Sequence, residues 1–358
     1  MDELLRLKTS IEAAQNIGIL TKINANDDAI GTTLALFFAL KNANKKVGFA
    51  GQEIPEKISE LLRGKEQKKF HISFKDDVSE VYYEKKENGI DLYLTPKNNN
   101  VSGETFSCKI ISSIDSLDVN SNYDILITIG IDNFEDVETA CSDDLDQLYN
   151  CDIINIDTNL GNQNYGEINI IEDSQSLSQQ MSCIIKYLGK NYLNKEVSSF
   201  LLYSLMSSNK NVLNKKNIPT IKWLLNQNGD LNFLASEPQK TRLLEIVLKN
   251  IQFNEESGTY ISTLFEKNLL DNSASSKDLA YVVEKIKLFF KIPSFLLLWE
   301  SRTSPLSVKG IVYSDKKPLI QKIMQNYKGI TKGNGAIFAT ELSSIIEAKE
   351  KVLSCLNK

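Results

Sequence analysis

The 358 residues of this chain are 42% hydrophobic and 24% charged, the balance of a soluble globular protein of two domains, each large enough to bury its own core. A net charge of −5 and a pI near 5.3 provide no global positive field of the kind that gathers nucleic acid, and no apolar run approaches the roughly 18 residues of a membrane span. A single histidine, His71, excludes any mechanism that needs two.

Leu4, Leu5, Leu7, Ile11 and Ala14 at helical spacing predict an amphipathic helix over Asp2 to Gln15. An apolar strand, Ile17 to Ile23, then runs into a polar corner, Asn24 to Asp28, which opens a helix containing Leu34, Phe37, Phe38 and Leu40. Corners of this kind bind ligands in open α/β sheets, and their carboxylates can hold cations; Asn26 or Asp27 equally suits a plain helix cap. Lys46 to Ala50 is the short strand of the next unit, and strand, helix, strand argues a parallel sheet with crossover helices. From Phe70 to Thr95 the pattern turns to β, with Glu80–Glu84 and Ile90–Leu94 about Asn88-Gly89 reading as a hairpin inserted in the sheet or added to its edge. His71 belongs here as a partly exposed strand residue, and Asn98 to Gly103 is a polar loop.

Asp124 to Ile131 and Asp152 to Ile156 are continuous apolar runs, as in strands buried on both faces. Each ends in polar residues, Asp132-Asn133 and Asp157-Thr158-Asn159, directed at the same crevice as the first corner. Helices are predicted over Ser176–Leu188 and Lys195–Ser207, then a polar passage, Ser208 to Asn217, then helices over Pro219–Asn228 and Pro238–Asn250. Strands over Gly258–Ser262 and Ser294–Trp299 bracket a helix over Ser276–Phe290; Val308–Ser314 pairs with the Phe295 strand, and a helix from Ala339 to Leu356 closes the chain. Trp223 and Trp299 are expected in the core, and the basic clusters at Lys65–Lys69, Lys210–Lys216 and Lys316-Lys317 on solvated faces. Five scattered cysteines with no Cys-x-x-Cys pair read as reduced, mostly buried thiols of a cytoplasmic protein, and the acidic opening Met1-Asp2-Glu3 is no signal peptide.

The frame Lys22-Ile-Asn-Ala-Asn-Asp-Asp28-Ala-Ile-Gly-Thr32 resembles the first motif of the DHH phosphoesterase superfamily, His-x-Asn-Pro-Asp-Gly-Asp-Ala-Ile-Gly-Ser. Later corners keep the order. Ile127-Thr-Ile-Gly130-Ile-Asp132 stands where the second motif ends in Leu-Asp-Thr. Ile156-Asp-Thr-Asn-Leu-Gly-Asn162 with Tyr165-Gly-Glu-Ile-Asn169 stands for the third, Ile-Asp-His-His, and Leu202-Tyr-Ser-Leu-Met-Ser-Ser-Asn209-Lys210 for the fourth. Lys328 to Gly335 falls near the Gly-Gly-Gly-His loop of the DHH-associated domain. The resemblance, closest to the two-domain RecJ-like type with oligoribonuclease and PAP phosphatase activity, runs from about residue 8 to residue 356. It implies an α/β fold: a parallel-sheet DHH domain with crossover helices over 1–208 (hairpin insertion about 70–95), a linker and connecting helix over 209–235, and a smaller α/β substrate-binding domain over 236–358. Members with intact motifs bind two divalent metals, usually manganese, and hydrolyse small nucleotide phosphoesters, which needs carboxylates and imidazoles around two cations about 4 Å apart.

Carried over position by position, the ligand set is largely replaced. The first-motif histidine is Lys22 and its first aspartate Asn26, Asn24 keeps its place, and Asp28 is the one retained metal ligand. The second-motif aspartate falls on Gly130, with Asp132 two residues on; the third motif keeps Asp157 but has Thr158 and Asn159 for its histidines; the fourth aspartate is Asn209. In the second domain the family's arginine strand reads Tyr313-Ser314, and the phosphate-binding histidine falls near Thr331-Lys332. Loss of supporting residues alone costs about 10- to 100-fold in metal affinity, so five direct losses leave no dinuclear site, and a lysine where a cation belongs adds to that. The sequence therefore reads as a catalytically silent member that needs no cofactor and binds a nucleotide, short oligonucleotide or protein partner in the inter-domain cleft, with Lys22 and the helix amino terminus suited to an anion. Two readings stay beside it. One is an active phosphoesterase with Asp28, Asp132 and Asp157 around one magnesium (or manganese) ion; the other is a structural subunit, including a homodimer. None involves a membrane.

Overall fold

A computed structural model of the chain describes residues 2–50, 56, 58, 69–74, 78–86, 89–97, 106–111, 123–142, 145–173, 176–207, 217–231, 238–272, 274–290, 292–301 and 307–357. Asn209, the linker's opening residues and the lysines of 65–68 and 210–216 lie outside them.

Helix α1 (Glu3–Ala13) starts at Asp2, whose carboxylate accepts from the Leu4 N–H, and buries Leu7 and Ile11. Strand β1 (Asn16–Thr21) feeds helix α2 (Asp27–Asn42), which returns to β2 (Lys46–Phe49). Residues Glu56–Ser121 form a compact unit of their own. In it β3 (Lys69–Phe74) pairs antiparallel with β6 (Phe106–Ile111), and β4 (Val78–Lys86) with β5 (Gly89–Pro96). The β hairpin expected here is present, with Lys86 opposite Gly89. It does not extend the parallel sheet, as expected for an edge hairpin; it stands as a separate two-stranded sheet within the larger insertion.

The remaining residues, Met1–Pro55 and Asn122–Lys358, form the other unit. Its first sheet adds β7 (Ile125–Ile129), β8 (Asp152–Asp157) and β9 (Ile168–Ile171) in the order β2-β1-β7-β8-β9, every pairing parallel. All five residues of β7 are buried, as a strand covered on both faces requires. Helices α3 (Phe134–Ala140) and α4 (Leu145–Asn150) lie between β7 and β8. Helices α5 (Leu177–Leu188) and α6 (Lys195–Ser207) follow β9 and pack on α2. The crossing of α2 and α6 is close: a Cβ on Gly31 would lie 2.7 Å from that of Ser204.

Helices α7 (Asn217–Asn226) and α8 (Pro238–Lys249) lead to a mixed six-stranded sheet. Its strands are β10 (Gln252–Asn254), β11 (Thr259–Leu264), β12 (Ser294–Ser301), β13 (Ser307–Ser314), β14 (Lys328–Lys332) and β15 (Gly335–Ala339), in the order β10-β11-β12-β13-β15-β14. Helices α9 (Glu266–Asp271) and α10 (Ser276–Phe290) link β11 to β12, α11 (Lys317–Asn326) precedes β14, and α12 (Ile345–Asn357) ends the chain. Leu296, Leu298, Val312, Phe338, Ile323 and Val352 belong to the core under α11 and α12.

The α/β class, the parallel sheet with its helices and the separate second sheet are therefore present. The closing helix starts at Ile345 and not at Ala339, because residues 335–339 pair with both β13 and β14. Gly333, at φ +59, supplies the left-handed backbone of the β14–β15 turn. Trp299 is buried as expected, while Trp223 is half-buried with the Lys186 ammonium 5.9 Å from its ring centre. The thiols are less buried than expected: Cys141, Cys151 and Cys355 are half-buried and Cys183 is exposed. Among the described residues no helix is long and apolar enough to cross a membrane.

Candidate functional site

In the order β2-β1-β7-β8-β9 the chain leaves β1 to one side for β2 and later returns on its other side with β7. The gap beyond the carboxyl ends of β1 and β7 is thus a topological switch point, where open α/β sheets bind ligands. Lys22 follows β1 there directly. Its ammonium lies 2.8 Å from Asp132 Oδ2 and 3.3 Å from Asp136 Oδ2. Asp132 comes from the loop after β7 and Asp136 from the first turn of α3. The Asp132 hydrogen bond chiefly raises the pKa of Lys22 against its partial burial. The same bond, followed by that from Asn159 Nδ2 (2.9 Å to Oδ1), holds Asp132 below the usual carboxylate range. Both oxygens of Asp132 are thereby engaged.

Beside this pair lies a buried polar network on β8. Asp157, 4% exposed, accepts the Thr158 and Asn159 N–H groups on Oδ1 (2.7 and 3.3 Å) and Asn162 Nδ2 on Oδ2 (2.8 Å). Burial, followed by the nearby Asp132 charge, pushes its carboxyl above the usual range in spite of these bonds. The Asn162 amide is fully used: Nδ2 also donates to the Ile131 carbonyl at 2.8 Å, and Oδ1 accepts Asn155 Nδ2 at 2.7 Å and the Asn164 N–H at 2.9 Å. Thr128 on β7 closes the set, with its hydroxyl 2.8 Å from that of Tyr165. Gly130 turns the chain out of β7 at φ +64, and a Cβ there would lie 3.0 Å from Leu177 Cδ1.

Asp28, 8% exposed, points elsewhere. Asn26 caps its helix, Oδ1 accepting the Ala29 N–H at 2.9 Å, so Asp28 is free to serve a different helix. Its carboxylate accepts the Leu177 N–H (2.9 Å), the Ser178 N–H (3.2 Å), the Ser178 hydroxyl (2.7 Å) and the Ser204 hydroxyl (2.9 Å). The first amides of a helix have no partner inside it. At α5 Ser176 Oγ takes the Gln179 N–H, and Asp28 supplies the two acceptors that remain, where a negative charge also meets the positive end of the helix dipole.

The residues predicted at the corner thus divide. Lys22 and Asn159 both bond Asp132, and the backbone N–H of Thr158 joins that of Asn159 on Asp157. Asp28 belongs to the α5 terminus, Asn26 is a cap, Asn24 is exposed, and Asn209 lies outside the described residues. On the second sheet Tyr313 pairs with Gly335 on β15, its hydroxyl donates to Asp315 and its ring lies 4.4 Å from the Lys287 ammonium. Ser314 is buried and its Oγ accepts the Lys316 N–H at 3.0 Å, whereas Thr331 and Lys332 are exposed on β14. Sequence reasoning missed Asp136, Asn155, Ser178 and Ser204 as members. Asn155, the one polar residue inside the apolar run Ile153–Ile156 and fully buried, carried a readable signal, since a buried amide demands partners; the two serines carried none.

The sequence matches no family model and no curated protein. Among solved structures the chain is similar to an exopolyphosphatase-related protein from Bacteroides fragilis, with 14% identity over 99% of this chain and 95% of that one and a TM-score of 0.41. It is similar also to a putative family II inorganic pyrophosphatase from Methanococcus jannaschii, with 12% identity, 96% and 100% coverage and a TM-score of 0.33. A third is RecJ from Thermus thermophilus in complex with Mn2+, with 10% identity, 99% and 55% coverage and a TM-score of 0.31. With so few residues shared, the chemistry of the corner has to be read from this chain's own side chains.

Proposed function

We propose that this chain is a phosphoesterase homologue that does not hydrolyse phosphoesters and acts by binding a protein partner. The observation that carries this reading is the Lys22 ammonium 2.8 Å from Asp132 at the sheet's switch point. A pair of divalent cations needs several carboxylates with oxygens to spare. Here Asp28 already holds four donors, Asp157 three, and Asp132 a lysine and an amide. Among the described residues no group of three or more His, Cys, Asp or Glu side chains has the placement of a metal site. The residues present do not fit a metal pair. The reduced site with one magnesium ion fares no better, because it would draw on the same three committed carboxylates.

A phosphate-bearing ligand is disfavoured at this corner. Asp132 and Asp136 both face the single lysine, so an incoming anion meets excess like charge. The ligand this reading assigns is therefore a protein. The test is a phosphatase and oligonucleotide hydrolysis assay with manganese. The reading expects no turnover above buffer; turnover abolished by Asp28→Ala would overturn it.

A further inference from the structure

Strand β14 is the last in its sheet, and all five of its residues, Lys328 to Lys332, are exposed. Nothing among the described residues therefore covers its edge, which carries the unpaired N–H and C=O groups that a further strand can take up. Registers place Lys328, Ile330 and Lys332 on one face, opposite Ala339, Ile337 and Gly335 of β15, with Lys309, Ile311 and Tyr313 of β13 behind them. Lys309, Ile311, Lys328, Ile330, Lys332 and Ile337 line an open groove of about 500 Å³. Ile330 is 77% and Ile337 52% exposed, and none of the three lysines has an ion-pair partner among the described residues. An apolar centre between cations two positions to either side along a free strand edge is complementary to one kind of occupant.

We infer that β14 and the adjoining face of β15 dock an extended peptide segment with acidic residues two positions to either side of an apolar one, added to the sheet as a seventh strand. The period of two along both strands places the occupant's apolar side chain beside Ile330, which extends the apolar stripe that Ile337 and Ile311 continue across the sheet, and its carboxylates beside Lys328 and Lys332. Main-chain bonds to β14 supply affinity, and the alternating pockets supply specificity. The inference rests on the protein-binding role proposed above, and is independent of whether the corner at Lys22 hydrolyses anything. Lysines on an edge strand also discourage unspecific pairing, which here leaves the edge open to an acidic segment and closed to a basic one.

The experiment is fluorescence anisotropy on the full chain with three labelled probes: a peptide alternating glutamate and valine, its lysine-for-glutamate counterpart and a short oligothymidylate. The expected result is binding of the acidic peptide alone, weakened by salt. Ile330→Asp should abolish it, and the double variant Lys328→Glu with Lys332→Glu should weaken it about tenfold while gaining the basic peptide. That gain cannot come from misfolding. Overturning results are tighter binding of the oligothymidylate that depends on the same lysines, self-association of the chain lost in Ile330→Asp, or no binding of either peptide to wild type and variants. A hydrolysis assay on the same samples keeps failure of this inference distinct from failure of the silent-enzyme reading.

Discussion

Replacing Asp28 by alanine tests whether this residue is a helix partner or the remnant of a cation site. The substitution removes both oxygens from the α5 terminus, but its consequences are unequal. The Ser204 hydroxyl keeps the Asp28 backbone carbonyl at 2.6 Å, and the Ser178 hydroxyl keeps Ser176 Oγ at 3.0 Å. The N–H groups of Leu177 and Ser178 are left with no acceptor in a buried position. Each buried orphan costs about 1–3 kcal/mol, and loss of the charge at the helix terminus adds up to about 1–2. Asp28→Ala should therefore destabilise by about 4 kcal/mol, well beyond the roughly 1 kcal/mol of an ordinary cap. Asp28→Asn, which keeps one oxygen and turns a donor toward the second N–H, should fall near half of that. Urea unfolding followed by circular dichroism measures both. A loss below about 1 kcal/mol in Asp28→Ala, or wild-type protein stabilised by manganese in a manner that Asp28→Ala abolishes, would refute the reasoning.

Lys22→Met should raise the pKa of Asp132 from its lowered value toward the usual carboxylate range, because the largest lowering influence is removed while the Asn159 bond stays, read by carbon-detected NMR titration, with a stability change within about 1 kcal/mol because both side chains are more than a third exposed. The pH dependence has a definite sign. Asp132 and Asp124, the latter held down by the N–H groups of Asn16 and Gln15, contribute stability that is present above their unfolded pKa near 3.8 and is lost as pH falls through their lower folded values. Asp157, raised by burial, acts oppositely: its ionisation opposes folding above pH 3.8, and acid relieves that opposition. Removing Asp124 with Asp124→Asn should consequently flatten the acid limb of unfolding monitored between about pH 5 and 2. Asn162→Ala removes the donor to Asp157 Oδ2 and the acceptor of the Asn164 N–H, while the Ile131 carbonyl keeps the Tyr165 hydroxyl at 3.2 Å and Asn155 Nδ2 keeps Asn169 Oδ1 at 3.3 Å, and should cost about 2 kcal/mol in the same urea assay. Gly310→Ala would place a Cβ 2.4 Å from Phe338 Cζ and should cost about 1–3 kcal/mol by overpacking, with partial rescue by Phe338→Leu.

Much of the fold was legible because hydrophobic period decides it. The runs at Ile125 and Ile153 became buried parallel strands, and the helix over 195–207 has the ends its pattern implied. The elements that were missed are short or polar. Strand β9 has four residues, α3 begins Phe-Glu-Asp, and β14 reads Lys-Gly-Ile-Thr-Lys, so none offers a clear apolar period. At the corner, the sequence displayed which residue types had changed but not how they would regroup. That Lys22 pairs with Asp132 depends on the register of β1 against β7, which links residues 110 positions apart. That Asp28 serves α5 depends on Asn26 having taken its own helix's cap, a division of labour that spacing alone leaves open.

The central claim, that an ammonium and helix amides occupy the carboxylates of this corner, is tested most directly by titrating the wild-type chain with manganese and following the free-ion signal by electron paramagnetic resonance. The account predicts that the signal rises in proportion to added metal, as in buffer, for wild type and Asp28→Ala alike. Stoichiometric loss of the signal in the wild-type protein, restored by Asp28→Ala, would contradict it.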